Sequence, residues 1–217
     1  MEIERMSDFF TARVEGYDEH MLHSVEGCKE GYVKLAELVP ERTNTLLDLG
    51  CGTGLELDEI FKRLQHIKVT GVDLTEAMLY KLRQKHSNKD IELINADFFK
   101  LDLGVEKYDA VVSFQAMHHF SHGDKIELYS KISRALKNNG VYIECDYMVT
   151  EQSDEDYFFS ENERIRKEEN IPEDEFCHYD TPCTIDNQIE MLRKAGFTNV
   201  EMLWRMGNTT IVIAENK

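Results

Sequence analysis

The chain has 217 residues, a length that suits one α/β domain with a full hydrophobic core. Its 42 acidic and 25 basic residues give a formal net charge of -17, which disfavours nucleic acids and anionic membranes as partners. No long uncharged apolar stretch and no basic, apolar leader is visible, so a soluble cytoplasmic protein is expected. The five cysteines are odd in number and scattered, which is typical of reduced thiols.

The first regular pattern is helical. Residues 17–39 place apolar side chains three or four positions apart and stop before Pro40, which predicts one long amphipathic helix. Short apolar segments rich in β-branched residues follow, and they predict five buried strands. These strands are expected at residues 45–49, 67–72, 91–96, 108–114 and 140–147.

Helical stripes alternate with these strands. Thr75 is positioned to cap the helix after the second strand, and Asn138-Asn139-Gly140 predicts the end of the helix before the fifth. Parallel neighbours need crossover connections, so this alternation predicts a parallel sheet with helices on both faces. A helix over 185–195 and two segments that flank Gly207-Asn208 predict a closing antiparallel hairpin. The expected fold is an α/β three-layer sandwich around a mostly parallel seven-stranded sheet.

A glycine-rich turn lies between the first predicted strand and its helix, in the run Asp48-Leu49-Gly50-Cys51-Gly52-Thr53-Gly54. Such a turn presents backbone N–H groups and a helix N-terminus to a ligand. Asp73, nineteen residues beyond Gly54, ends the second predicted strand, where a carboxylate can accept hydrogen bonds from ribose hydroxyls. An ordinary tight turn is the plain alternative, but the two features together predict a nucleoside cofactor.

From about residue 40 onward, the chain resembles the seven-stranded class I S-adenosylmethionine (SAM)-dependent methyltransferases. The resemblance rests on the glycine turn, on Asp73, on the run Asn95-Ala96-Asp97-Phe98, on the fourth-strand segment 108–113 and on the closing hairpin. It implies SAM as the cofactor and S-adenosyl-L-homocysteine as its product. The cofactor residues that it implies are Tyr17, Asp48, Gly50, Cys51, Gly52, Gly54, Asp73, Leu74, Met78, Asp97, Phe98 and Gln115.

Several of these assignments have plainer alternatives. Asp97 fits an adenine ligand, but it could cap a helix instead. Met78 fits core packing at least as well as cofactor contact. Tyr17 matches the lid residue of similar small methyltransferases, or it packs at a helix start. The expected organisation is a single methyltransferase domain over residues 1–217, with an N-terminal helical lid at 1–40 and an acidic insertion or cap at 150–183.

The acidic insertion has two interpretations. Residues 151–175 hold 11 acidic and three basic residues. The segment could form a cap that attracts a cationic acceptor, but a solvated helix is the favoured interpretation. It is expected to be part of the one domain because no linker or repeat sets it apart.

Candidate catalytic residues follow the fourth and fifth strands, whose carboxyl ends should lie near the reactive end of the cofactor. They are His118, His119 and Asp146, with His178 arriving from the insertion. For each histidine a structural role is the main alternative. No set of histidines, cysteines and acids has a recognised ligand spacing, so the sequence predicts no metal site.

The sequence therefore predicts methyl transfer to a small-molecule acceptor, without nucleic acid or membrane partners. Two rivals remain open. A nicotinamide-dependent oxidoreductase shares the turn and the ribose acid, and a non-catalytic SAM-binding module needs no catalytic residue. Neither the acceptor nor the oligomeric state follows from the sequence.

Overall fold

The computed structural model describes residues 3–172 and 175–216. Seven strands form one sheet in the order β3-β2-β1-β4-β5-β8-β7, and the short β6 pairs with the end of β5. The first five pair in parallel and the last two add an antiparallel hairpin, as the sequence predicts. The strands are β1 Thr45–Leu49, β2 Lys68–Asp73, β3 Ile91–Asn95, β4 Tyr108–Phe114, β5 Leu136–Val149, β6 Cys183–Thr184, β7 Asn199–Met206 and β8 Thr209–Glu215.

Helices cover both faces of this sheet, which confirms the three-layer sandwich. Strand β1 shows the division, because Leu46 packs with the apolar side chains of α3, α4 and α5, whereas Leu47 packs with those of α6 and α8. The helices are α1 Met6–Arg13, α2 Tyr17–His23, α3 Cys28–Leu38, α4 Leu55–Arg63, α5 Glu76–Lys85, α6 His122–Ala135, α7 Gln152–Glu168 and α8 Ile185–Lys194.

The predicted long helix over residues 17–39 is wrong in one respect, because Gly27 divides it into α2 and α3. Gly27 adopts a φ of 78°, and a Cβ at this position would lie 2.7 Å from the carbonyl oxygen of Met206. The chain therefore turns at a residue without a side chain, close against the hairpin. Helix α3 packs on the sheet through buried Tyr32 and Leu35.

The helix stop predicted at Asn138-Asn139-Gly140 is also wrong. Helix α6 ends at Ala135, and β5 begins at once at Leu136. The residues up to Gly140 form an irregularity in that strand, since Tyr108 pairs with Leu136 while Ala110 pairs with Val141. Asn139 has a positive φ of 62°, so its turn-forming character serves a β-bulge rather than a helix end.

The acidic segment forms helix α7, most of whose charges face solvent, and only Glu155 of this helix is buried. The solvated-helix interpretation therefore holds for most of it. Within the described residues, no helix is long and apolar enough to cross a membrane.

Candidate active site

The glycine turn joins β1 to α4 at the carboxyl end of the sheet. Gly50, Gly52 and Gly54 all have positive φ values, of 74°, 47° and 76°. The backbone N–H groups of Gly50 and Cys51 donate to the carbonyl of Val72, 2.8 and 3.2 Å away, so the turn is tied to the end of β2. A Cβ on Gly50 would lie 2.7 Å from that of Ala116. This close approach leaves no room for a side chain.

Asp73 ends β2 beside this turn. Its carboxylate accepts hydrogen bonds from the backbone N–H of Gly52 at 2.9 Å and of Thr75 at 2.8 Å. Burial raises its pKa above the usual range, although these bonds act in the opposite direction. Two backbone donors fix the carboxylate at the strand end, and each oxygen keeps capacity to accept a further bond.

A cavity of about 680 Å³ opens beside the turn. Several aromatic side chains that the sequence analysis missed also line it, among them Phe10, Phe99 and Phe176. The predicted cofactor residues that line it are Tyr17, Gly50, Gly52, Asp73, Leu74, Met78, Asp97, Phe98 and Gln115.

Three predicted cofactor residues are not among the described residues that line this cavity. Cys51 is buried under the turn, where its Sγ would lie 3.0 Å from a Cβ on Gly71. Gly54 caps the start of α4. Asp48 is completely buried at the end of β1. These three residues belong to the turn and its flanks but do not reach the surface of the cavity. A direct contact between any of them and the cofactor stays a prediction.

Asp48 has a neighbour that the sequence analysis missed, the buried Glu56 on the first turn of α4. Among the described residues, neither carboxylate oxygen of Asp48 has a hydrogen-bond partner, nor does Oε1 of Glu56. Burial, together with the nearby Glu56, raises the pKa of Asp48 well above its usual range. Burial also raises the pKa of Glu56 to about 7. A cationic group brought to the turn would compensate this unpaired acidic pair.

We predict that this pair makes the stability of the ligand-free protein depend on pH. Glu56 has a folded pKa of about 7 against an ordinary 4.5, so the folded state holds a proton that the unfolded state has lost between these values. The contribution of Glu56 to the free energy of unfolding is therefore fully present below pH 4.5 and is lost as the pH rises through 7. At pH 8 we expect Glu56→Gln to recover about 2–3 kcal/mol of the free energy of unfolding that the wild type loses. The variant should therefore unfold at a higher urea concentration than the wild type at this pH.

The matched control is Glu59→Gln, one turn further along the same helix, where the carboxylate pairs with Lys62 at the surface. Urea unfolding of wild type and both variants at pH 5 and pH 8 measures the difference. Buried Glu144, whose pKa burial raises to about 7, adds a pH dependence common to all three proteins. Equal pH dependence in wild type and Glu56→Gln would contradict the prediction.

Asp97 follows β3 at the wall of the cavity. Its Oδ1 accepts the backbone N–H of Phe99 at 2.9 Å, and Lys100 lies 3.0 Å from its other oxygen. The described structure places no α-helix directly after it, so it closes a local turn rather than capping a regular helix. Both the turn and the cavity position agree with the predicted adenine contact.

Tyr17, the first residue of α2, stands over the glycine turn. A Cβ on Gly52 would lie 3.8 Å from the Tyr17 ring and 4.0 Å from its hydroxyl. Burial and the nearby Glu56 and Asp73 raise the pKa of Tyr17 far above its usual range, so the hydroxyl is neutral. Tyr17 also lines a second cavity, described next, so its side chain is part of the wall that the two cavities share.

A second, wider cavity of about 1790 Å³ adjoins the first. Phe10, Tyr17, Gln115 and His119 line both. Gln115 follows β4 with a positive φ of 49°, an unusual conformation for a residue other than glycine and one that occurs at functional sites. The two cavities therefore adjoin each other along these four side chains.

Three of the four predicted catalytic residues, His118, His119 and His178, line this second cavity, and the fourth, Asp146, contacts His118. The Nδ1 atom of His118 lies 2.5 Å from Oδ1 of Asp146. Asp146 is buried and accepts the backbone N–H of Met117 at 2.9 Å and of Tyr147 at 2.8 Å. Asp146 itself is not among the described residues that line the cavity, so it holds His118 from behind.

Asp180 completes this group. Its Oδ1 lies 3.4 Å from Nε2 of His118, 3.5 Å from Nδ1 of His119 and 4.0 Å from Nε2 of His178. The loop that carries Asp180 is fixed to the segment after β4. Thr181 donates both its backbone N–H, at 2.7 Å, and its hydroxyl, at 3.0 Å, to the carbonyl of His118. We call His118, His119, His178 and Asp180 the histidine cluster.

The charges in the cluster follow from burial and from the two carboxylates. Burial alone lowers the pKa of His118, but Asp146 and Asp180 raise it to about 10. Burial and the neighbouring His118 lower the pKa of His119 well below its usual range. Burial acts to raise the pKa of Asp180, yet its three histidine neighbours hold it well below the ordinary value. Without other ligands, His118 is cationic and His119 is neutral.

Glu144, also on β5, does not belong to this site. Its carboxylate accepts hydrogen bonds from Tyr129 at 2.8 Å, Tyr142 at 2.7 Å and Gln188 at 2.7 Å, all buried between the sheet and helices α6 and α8. It is a buried structural acid.

Known proteins match this chain over the same elements. Residues 46–140 match the family described as a methyltransferase domain. A carboxy-S-adenosyl-L-methionine synthase from Nautilia profundicola is 26% identical, with 98% of this chain and 95% of that protein covered. Human N-acetylserotonin methyltransferase, solved in complex with SAM, has a TM-score of 0.70 and 15% identity over 98% of this chain and 59% of its own.

An O-methyltransferase family protein from Burkholderia thailandensis also shares the fold, with a TM-score of 0.70 and 16% identity over 94% of this chain and 60% of its own. The chain thus spans about three fifths of the length of these two solved proteins.

The fold and the site define a Rossmann-like α/β enzyme with a nucleoside cofactor at the carboxyl end of its sheet. The methyltransferase domain matched at residues 46–140 and the SAM-related relatives support a SAM-dependent methyltransferase, with SAM as its cofactor. The nicotinamide-dependent alternative is not supported, because the matching family and relatives are methyltransferases or act on SAM by name. The unpaired acids beside the turn and the side-chain-free cradle at Gly50 fit this cationic cofactor.

Proposed function

We propose that the enzyme transfers the methyl group of SAM to a small-molecule acceptor bound in the second cavity. The observation that carries this proposal is the shared wall of Phe10, Tyr17, Gln115 and His119 between the two cavities. One cavity has the features of a cofactor site, and the other presents a polar histidine cluster. Two ligands held against the same wall meet the requirement for a direct transfer between them.

The cofactor side of the proposal assigns roles to the turn and the strand ends. Asp73 accepts hydrogen bonds from the ribose hydroxyls, and Asp97 binds the adenine amino group. Asp48, with Glu56, supports the ammonium group through the turn. Bound SAM supplies a methyl group activated by its sulfonium, which the acceptor takes by in-line displacement at a distance of about 3 Å. Tyr17 excludes water from above.

The acceptor side uses the histidine cluster. His119 lies on the shared wall with its side chain only 5% exposed, and it is the cluster member that lines both cavities. His118 is oriented by Asp146, and His178 stacks on Phe9 of α1 with ring centroids 3.5 Å apart. These groups can orient an acceptor, and the neutral imidazole of His119 can receive its proton.

The proposed organisation is one domain in which α1 and α2 form the lid. Backbone hydrogen bonds join Met6 to Phe176 at 3.0 Å and His178 to Glu4 at 2.9 Å. The lid and the segment after α7 therefore close over the cavities together.

Incubation of the purified enzyme with methyl-labelled SAM and a fractionated metabolite extract tests the proposal. We expect label to enter one class of small molecule in step with the formation of S-adenosyl-L-homocysteine. SAM that binds without transfer to any small molecule would contradict it. Addition of RNA and protein to parallel samples shows whether macromolecules accept the label instead.

A second candidate function comes from the relatives named carboxy-SAM synthases, one of which matches nearly the full length of this chain. Arg13 lines the second cavity and could pair with a carboxylate there. Mass spectrometry of the nucleoside products separates the two candidates. A gain in the mass of SAM would favour synthesis of a modified cofactor, and its demethylation favours methyl transfer.

A further inference from the structure

The histidine cluster has an unusual geometry for a set of hydrogen bonds. Its shortest contacts to Asp180 are 3.4 Å from His118 and 3.5 Å from His119. Both exceed the usual range of about 2.7–3.2 Å for an N–H···O hydrogen bond. The contact between His118 and Asp146 is by contrast 2.5 Å. His119 Nδ1 also lies 3.3 Å from the carbonyl oxygen of Tyr179, which is again a long contact. The three ring nitrogens that face Asp180 thus lie near one carboxylate oxygen without a short hydrogen bond to it.

These separations match those of ligands around one metal ion. A tetrahedral ion with bonds of about 2.05 Å places its ligand atoms about 3.4 Å apart. The ligand atoms of His118, His119 and Asp180 all lie within 4.8 Å of one another. Two imidazoles and one carboxylate form a donor set that divalent transition metals prefer.

We propose that His118 Nε2, His119 Nδ1 and Asp180 bind a divalent transition metal ion such as Zn²⁺, with its open position toward the second cavity. His178 Nε2 lies 4.0 Å from Asp180 Oδ1, at the edge of this ligand group. The sequence predicted no metal here because Asp180 lies some sixty positions beyond the two adjacent histidines, and only the fold brings them together.

The groups behind the cluster support this assignment. A histidine that binds metal through one ring nitrogen usually donates the other N–H to a carboxylate or carbonyl. His118 does so to Asp146, which two backbone N–H groups hold in place. Because this bond uses the Nδ1–H, the lone pair of the neutral imidazole is on Nε2, the atom that faces Asp180. Asp146 is therefore a positioning residue for the ion.

Another group of potential ligands, His122, Glu155 and Cys183, provides a contrast. His122 is already 2.9 Å from Glu155, and Lys125 lies 3.2 Å from the sulfur of Cys183. A buried cation beside a ligand atom opposes metal binding. Glu155 also accepts the backbone N–H of Thr184 and the side-chain amide of Asn187. The carboxylate of Glu155 and the thiol of Cys183 are therefore already engaged by neighbouring protein groups.

The role of the ion rests on the proposed function. An ion with an open position at the acceptor cavity binds a hydroxyl, thiol or carboxylate group, so it selects acceptors that carry such a group. The site itself can be tested without any acceptor.

The test begins with protein treated with a chelator and dialysed against Zn²⁺, with bound metal measured by elemental analysis. We expect one ion per chain in the wild type and at least about a 100-fold weaker affinity in Asp180→Asn and in His119→Gln, which each lose a ligand. His122→Gln is the matched control, and its binding should equal that of the wild type. Thermal unfolding confirms that each variant is folded.

Cobalt substitution tests the positioning role. Co²⁺ in the wild type should give ligand-field absorption in the visible range. Asp146→Asn should shift these bands and weaken binding by about 10–100-fold, an effect that a purely structural residue would not produce.

Three results would overturn the inference: no ion bound at micromolar Zn²⁺, unchanged binding in Asp180→Asn and His119→Gln, or loss of binding in His122→Gln. Calorimetric titration of the same samples with SAM distinguishes a failure of the metal site from a failure of the proposed function. If the metal-free protein still transfers the methyl group, the proposed function holds and the ion has no part in it.

Discussion

Asp73→Ala is expected to weaken SAM binding by about 1000-fold. In the proposed site the carboxylate at the end of β2 accepts hydrogen bonds from the two ribose hydroxyls, and each hydrogen bond to a charged group contributes about 1.5–3 kcal/mol. The substitution also removes the acceptor for the N–H groups of Gly52 and Thr75, so the turn itself loses a support. Calorimetric titration with SAM measures the dissociation constant directly.

Asp73→Asn separates these two contributions, because the amide keeps one acceptor oxygen and the shape but loses the charge. Its affinity should lie between those of wild type and Asp73→Ala. Glu92→Ala is the matched control, since Glu92 is an exposed acid on the neighbouring strand β3. An Asp73→Ala protein that binds SAM within threefold of the wild type would refute the assignment of Asp73 as the ribose ligand.

His119→Gln is expected to lower the rate of methyl transfer by about 1000-fold while the affinity for SAM changes little. His119 lies on the wall between the two cavities, and loss of a group that activates an acceptor costs a factor of about 100 to 10,000. The loss is expected whether the imidazole acts alone or as a metal ligand. Single-turnover transfer from labelled SAM to the identified acceptor gives the rate.

The control for this experiment is His66→Gln, an exposed histidine after α4 and remote from both cavities. His118→Gln and His178→Gln, measured in the same assay, show whether the cluster acts as a unit. If all three cluster variants keep the wild-type rate, the cluster has no part in the reaction.

The sequence placed the glycine turn and Asp73 side by side for a physical reason. The turn from Asp48 to Gly54 and the acid at Asp73 lie at the ends of consecutive strands, and consecutive parallel strands β1 and β2 are neighbours in the sheet. Short-range spacing was therefore enough to place them together. Glu56 was missed because nothing in an amphipathic helix marks one acid among several as buried.

The acceptor side could not be predicted in this way. His118 and His119 were visible as candidates after β4, but their partner Asp180 comes from the segment after α7, held there by the bonds of Thr181 to His118. The aromatic wall likewise joins Phe10 of α1 to Phe176 of that segment. Contacts between parts of the chain so distant depend on how the lid and the insertion pack.

The sequence by itself determined the sheet, its two helical layers and the closing hairpin, because hydrophobic periodicity and turn residues act over short stretches. The glycine turn and Asp73, local features of adjacent strands, indicated a nucleoside cofactor, and the resemblance to the class I methyltransferases implied SAM. The tertiary structure alone decided that Gly27 breaks the first long helix against the hairpin, that Asp48 and Glu56 form an unpaired acidic pair, and that three histidines surround Asp180. Each of these depends on packing between segments far apart in the chain, which no local pattern encodes.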